Sequence, residues 1–197
     1  MLKKLLPKNN FLLAFNSSLI IFTLGIIFGC VFLSSVTDTT SAKESMNELE
    51  KLIKGSFNLP HTLLGLALFI LGKNLLASAL AVVGGLLTLG IVPVLTLFFN
   101  GIVVGYAIKP VLYLHGTGYL MASLLPHGII ELPAFFLSAS VGMYLGVEQA
   151  LKFIRNRPPT YSVKDAAKFF TYIIFPVLLA AAFIEVFITP LFMIFLT

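Results

Sequence analysis

From residue 61 to about 108 the chain runs through apolar side chains, interrupted only at Lys73-Asn74, Gly84-Gly85, Gly90, Pro93 and Asn100-Gly101. A spanning helix needs about 20 residues, so the run holds two crossings. The same excess marks the whole chain: 58% of its 197 residues are hydrophobic, 11% are charged, and mean hydropathy is +1.02. A soluble domain of this length could not cover so much apolar surface. The chain reads as an all-α integral membrane protein, a polytopic helix bundle with the lipid bilayer as its solvent. A net charge of +5 is no nucleic-acid signal here, because the basic residues gather between apolar runs. The lone Cys30 excludes an intrachain disulfide and any zinc site built on several thiolates.

Five crossings are expected: about 11 to 33, 73 to 90, 92 to 109, 127 to 150 and 168 to 196. The first is too long for a signal h-region and no small-x-small cleavage site follows, so it reads as an uncleaved span. Residues 61 to 72 and 110 to 125 are short or glycine-rich, and are expected to be one or two short re-entrant or interfacial helices. Lys3, Lys4 and Lys8 precede the first span. Lys152, Arg155, Arg157, Lys164 and Lys168 lie between the fourth and fifth. The positive-inside rule then puts the N-terminus in the cytoplasm and the C-terminus outside a multi-pass cell-membrane protein.

Two regions follow: 1–57, the first span with an amphipathic outer segment, and 58–197, a four-span core. The outer segment carries a capping-box signature, Ser41 with Glu44, and a stop at Gly55. Met46, Leu49, Leu52 and Ile53 recur at helical spacing, which predicts a helix laid over the bundle or the membrane surface, or docked on a partner. LPHTLLGLALFIL (59 to 71) also echoes LPHGIIELPAFFL (125 to 137), as halves of a duplicated transporter would. Gly25 with Gly29, Gly101 with Gly105, and Gly142 with Gly146 offer close-packing faces, the last two pairs to a second copy in a homodimer.

The polar residues inside these runs carry the chemistry. A carboxyl at the centre of a spanning helix costs about 2.5 to 3.5 kcal/mol on insertion scales, so Glu131 and Glu185 need neutralisation, a partner or water. Asn74, Asn100 and Lys73 add to the cost. Pro126 suits a first helical turn, and His127 and Glu131 then stand at i and i+4 on one face. Pro133 and Pro190 each free a carbonyl beside a glutamate, that of Ile129 and that of Val186. The expected polar intramembrane site is therefore His127, Glu131, Glu185, Asn74, Asn100 and Lys73. His127 and Glu131 supply only two metal ligands, His115 could add a third, and no HExxH motif is present. No cofactor is otherwise implied, and no nucleophile–base pair, phosphate loop or nucleotide fingerprint stands out.

LLPHGIIELPA (124 to 134), the FNG of Phe99, Asn100 and Gly101, Lys73-Asn74 and AAAFIEVFITP (180 to 190) together resemble the stage II sporulation protein M family. The resemblance covers the chain from about residue 58 onward. It departs at Lys73-Asn74, where relatives carry paired asparagines. It implies a membrane protein that, in its sporulation member, anchors cell-wall hydrolases without being one. The outer segment here is too short for a catalytic domain, so topology and polar motif positions are what carry over.

Three functional readings follow. The first is a membrane scaffold or anchoring component, a homodimer with a membrane or cell-envelope protein partner, in which the buried polar groups clamp helices together. The second is a small-solute or ion transporter using its carboxyls. The third is a metal-dependent membrane enzyme resting on His127 and Glu131; the sequence favours a non-enzyme.

Overall fold

The computed structural model describes residues 11–56, 60, 62–156 and 158–190, without the side chains of 50, 52–56 and 123–127. Every element among them is helical. Helix α1, Phe11–Leu33, closes in a π-helical turn at Gly29–Leu33. Helix α2 is Thr39–Ser56, α3 is Leu63–Leu87 and α4 is Ile91–Arg155. Helix α5, Val163–Phe187, carries a second π-helical turn at Phe170–Ile174.

The 65 residues of α4 bend at Gly116, whose φ of 80° is open to glycine and strained for other residues. The bend turns one helix into two arms, 91 to 115 and 117 to 155. With α1, α3 and α5 they make five segments long and apolar enough to cross a bilayer, and the chain is a multi-pass membrane protein. The second arm is central: 61% of its apolar window is buried inside the protein, against 17–33% for the other four. Their outward faces carry Leu, Ile, Val and Phe such as Leu24, Leu80, Val103 and Phe183, as a lipid-facing surface requires.

Packing on the central arm is close. Phe22 of α1 meets Phe136 edge-on with ring centres 5.1 Å apart, and Ser18 and Ser140 share a buried hydrogen bond of 2.9 Å. On the other side Tyr144 and Leu145 join Leu71, Phe169, Ile174 and Leu178. Glycines set these distances. A Cβ on Gly25 would overlap the Phe98 carbonyl, and one on Gly105 the Ile26 carbonyl. A Cβ on Gly142 would strike the Ala81 carbonyl, and one on Gly146 the backbone at Leu89 and Gly90. The two glycine pairs expected to serve a second copy are thus spent inside the chain. Lipid gives helices no hydrophobic reason to associate, so close backbone approach must hold them.

Several boundaries differ from expectation. Residues 63 to 72 are no separate segment but the first ten residues of α3, because Lys73 and Asn74 sit in a helix without breaking it. Residues 110 to 115 continue the first arm of α4 past a buried Pro110, and 117 to 122 open the second arm beyond the Gly116 bend. No helix starts at Pro126: α4 runs through it and through Pro133, so no first turn with free N–H donors exists there. The two echoing segments therefore differ locally, since the earlier one opens α3, capped by Thr62, whose hydroxyl accepts the Gly65 N–H at 3.1 Å. The last span begins at 163, and the described helix ends at Phe187, three residues before Pro190. Residues 191 to 196 of that expected span lie outside the described residues.

Helix α2 lies over the bundle. Its Ala42, Ser45 and Leu49 are buried, while Met46 is half-buried; the Leu52 and Ile53 side chains lie outside the described residues. Tyr106 donates to Glu48 at 3.0 Å, Tyr113 to the Thr37 carbonyl at 2.9 Å, and Lys109 to the Ser34 carbonyl at 3.1 Å. The helix starts one turn before the expected Ser41. Asp38 accepts the Ser41 N–H at 2.8 Å while the Ser41 hydroxyl accepts the Asp38 N–H at 3.1 Å, which is the reciprocal box with the caps exchanged.

Candidate functional site

Helical spacing places one polar stripe on each of three helices. On α3, Ile70, Lys73, Asn74, Ala77 and Ser78 recur at three- and four-residue steps; on the first arm of α4, Asn100 and Val104 do so. The second arm adds Glu131, Leu132 and Phe135, and α5 adds Leu178 and Glu185, two turns apart. All of them, with Phe22 of α1, line one cavity of about 220 Å³. Every spanning segment contributes to its wall.

The cavity is graded. Lys73 and Asn100 are exposed, and Asn74, Glu131 and Glu185 are half-buried. The innermost lining is Ser78, Phe22, Phe135 and Leu178, at 1%, 5%, 8% and 0% exposure. Asn100 gives its amide N–H to the Thr96 carbonyl at 2.7 Å. The Ser78 hydroxyl and the Asn74 amide nitrogen are buried without a hydrogen-bond partner. An orphaned buried donor costs about 1 to 3 kcal/mol, and a small side-chain adjustment toward the cavity would let water or a guest satisfy both atoms. The volume suffices, since a water takes roughly 30 Å³ of the liquid.

Of the six residues singled out from sequence, five meet here: Lys73, Asn74, Asn100, Glu131 and Glu185. The His127 side chain lies outside the described residues. His115 is elsewhere, exposed near the Gly116 bend and stacked on Tyr119 at 4.5 Å. Among the described residues no three His, Cys, Asp or Glu side chains come together as a metal site. Ser78 escaped sequence reading because a serine in an apolar run carries no distinguishing signal; its i+4 relation to Asn74 was the available clue.

A second buried polar group sits at the other end of the central arm. Glu148, 7% exposed, accepts the Thr160 N–H at 2.6 Å, and Tyr144 and Thr160 share a hydroxyl contact of 3.1 Å. Tyr161 meets Tyr144 edge-on at 5.9 Å. Burial, then the neighbouring Asp165 charge, pushes the Tyr161 phenol well above its ordinary value. These contacts fasten Thr160 and Tyr161 against the second arm of α4. Glu148 stood inside a span in the sequence but close to Lys152 and Arg155, where a charged residue is unremarkable.

The chain matches the family described as Stage II sporulation protein M over residues 18–190. It is also similar to an uncharacterized protein of Methanocaldococcus jannaschii, 30% identical over 176 residues that make up 88% of this chain and 92% of that protein. No solved structure matches it. The chain is a member of the stage II sporulation protein M family.

Proposed function

We propose that the protein is a membrane carrier for a small polar solute, with the cavity at Glu131 and Glu185 as its binding site. One observation carries the reading: polar side chains from three helices surround a space large enough for a guest, and two of the lining residues, Asn74 and Ser78, each hold a buried polar atom without a protein partner. A pure clamp would have paired those groups in a dry core. In this reading the glutamates lie at bilayer depth, the positive clusters face the cytoplasm, and the outer segment with α2 stands outside. A homodimer, if formed, uses a face other than the Gly101/Gly105 and Gly142/Gly146 pairs.

Flux across vesicles is the test. Purified protein reconstituted into liposomes is expected to release or take up small charged solutes, measured with labelled compounds and a pH-sensitive dye. Glu131→Gln and Glu185→Gln are expected to abolish that flux while the variants still elute as folded protein with native helicity. No flux from the native protein, together with a lowered melting temperature as the only effect of both substitutions, would return the carboxyls to a scaffold role.

A further inference from the structure

The cavity is chemically two-sided. Helix α3 brings hydrogen-bond donors: the Lys73 ammonium at the exposed rim, the Asn74 amide nitrogen without a partner, and the Ser78 hydroxyl, 1% exposed and also without one. The second arm of α4 and α5 bring the carboxyls of Glu131 and Glu185, which accept. The cationic side chain and the carboxyls thus enter from different helices, with apolar Phe22, Phe135 and Leu178 in the innermost lining. A simple metal or ammonium ion would answer the carboxyls yet leave Lys73 repelling it and the Asn74 donor unmet. A simple carboxylate would answer Lys73 and Asn74 while facing two acidic side chains.

Resting on the carrier reading above, we propose that the guest is a small zwitterion of amino-acid type. Its carboxylate meets Lys73 and Asn74, its ammonium meets Glu131 and Glu185, and its apolar body lies against Phe22 and Phe135. Ser78 hydrogen-bonds to either end. Desolvating both charges of such a guest is tolerable only where each finds an opposite partner, which is what separates this cavity from a one-sign site.

The test uses the full chain in detergent micelles, with equilibrium dialysis and melting shifts as readouts. The probes are alanine, β-alanine and leucine as zwitterions, propylamine as the amine alone, and propionate as the acid alone. At least one zwitterion is expected to bind about tenfold or more tighter than either single-charge analogue, the size of one lost charge-assisted bond. Lys73→Gln should weaken the zwitterion by at least about tenfold and leave propylamine no weaker, or tighter, while Lys73→Arg restores most of the affinity. Glu185→Gln should weaken zwitterion and amine alike. Propylamine binding as tightly as every zwitterion, or zwitterion affinity indifferent to Lys73→Gln in a protein with native helicity, overturns the proposal but leaves a cation carrier standing. Propionate binding tightest overturns it in favour of an anion carrier. If no probe binds and the vesicles show no flux, the carrier reading falls with it.

Discussion

A single methyl group separates tolerance from damage along these helices. At Gly142 an added Cβ runs into the Ala81 carbonyl and Val82 backbone, atoms that cannot swing aside. Gly142→Ala is therefore expected to lower stability by about 1 to 3 kcal/mol, read as a lowered melting temperature in detergent. Gly72→Ala is the control: nothing lies within 4 Å of its Cβ, so the same change should be neutral or mildly stabilising through helix propensity. At Glu148, substitution by Ala orphans the Thr160 N–H that donates to it at 2.6 Å. A loss of about 1.5 to 3 kcal/mol would loosen the 156 to 162 connection, and limited trypsin should then cut after Arg155 or Lys164 faster than in the native protein. Single glutamates in apolar runs were legible from sequence because their cost singles them out. Gly142 was legible as a small residue, though not its neighbour, since GxxxG says that something approaches closely and not what.

Elements follow the same division. The start of α2 rests on Asp38 and Ser41, which cap each other. Hydrogen bonds from the Ser41 backbone, then from its side chain, hold the Asp38 carboxyl below its ordinary value. A depressed folded value means the cap contributes fully above the ordinary carboxylate range and is lost as pH falls through the lower folded value. The protection factor of the Ser41 amide, its exchange relative to the intrinsic rate at the same pH, should accordingly fall on acidification below about pH 4, and Asp38→Asn should flatten that dependence while leaving protection in α3 unchanged. Helix existence and number were readable from hydrophobic runs, because lipid forces the backbone to satisfy itself locally. Boundaries were not. Lys73-Asn74 and Pro126 look like breaks in one dimension, yet a helix already anchored along its length carries both, and the actual bend sits at Gly116, where only the backbone torsion of glycine was needed.

At the scale of the molecule, one long helix folded on itself organises the rest. The second arm of α4 is wrapped by α1, α3 and α5, and its glycines and serines set how near they come. Orientation is testable directly, since Cys30 is the sole cysteine in the chain. In a Cys30→Ser background, Thr40→Cys should react with a membrane-impermeant maleimide added to intact cells or right-side-out vesicles. Arg155→Cys should react only after permeabilisation, as the charge distribution demands. The reverse pattern would invert the protein.

Sequence alone determined the solvent and the class, because hydropathy over stretches of about 20 residues is a local, additive property. It also singled out the polar side chains within those apolar runs: Lys73, Asn74, Asn100, Glu131 and Glu185. Tertiary structure decided that these five line one cavity, that Ser78 joins them, and that the glycine faces close the chain on itself. Those outcomes depend on the bend at Gly116 and on which helix meets which, and distances between helices are not written in any single segment.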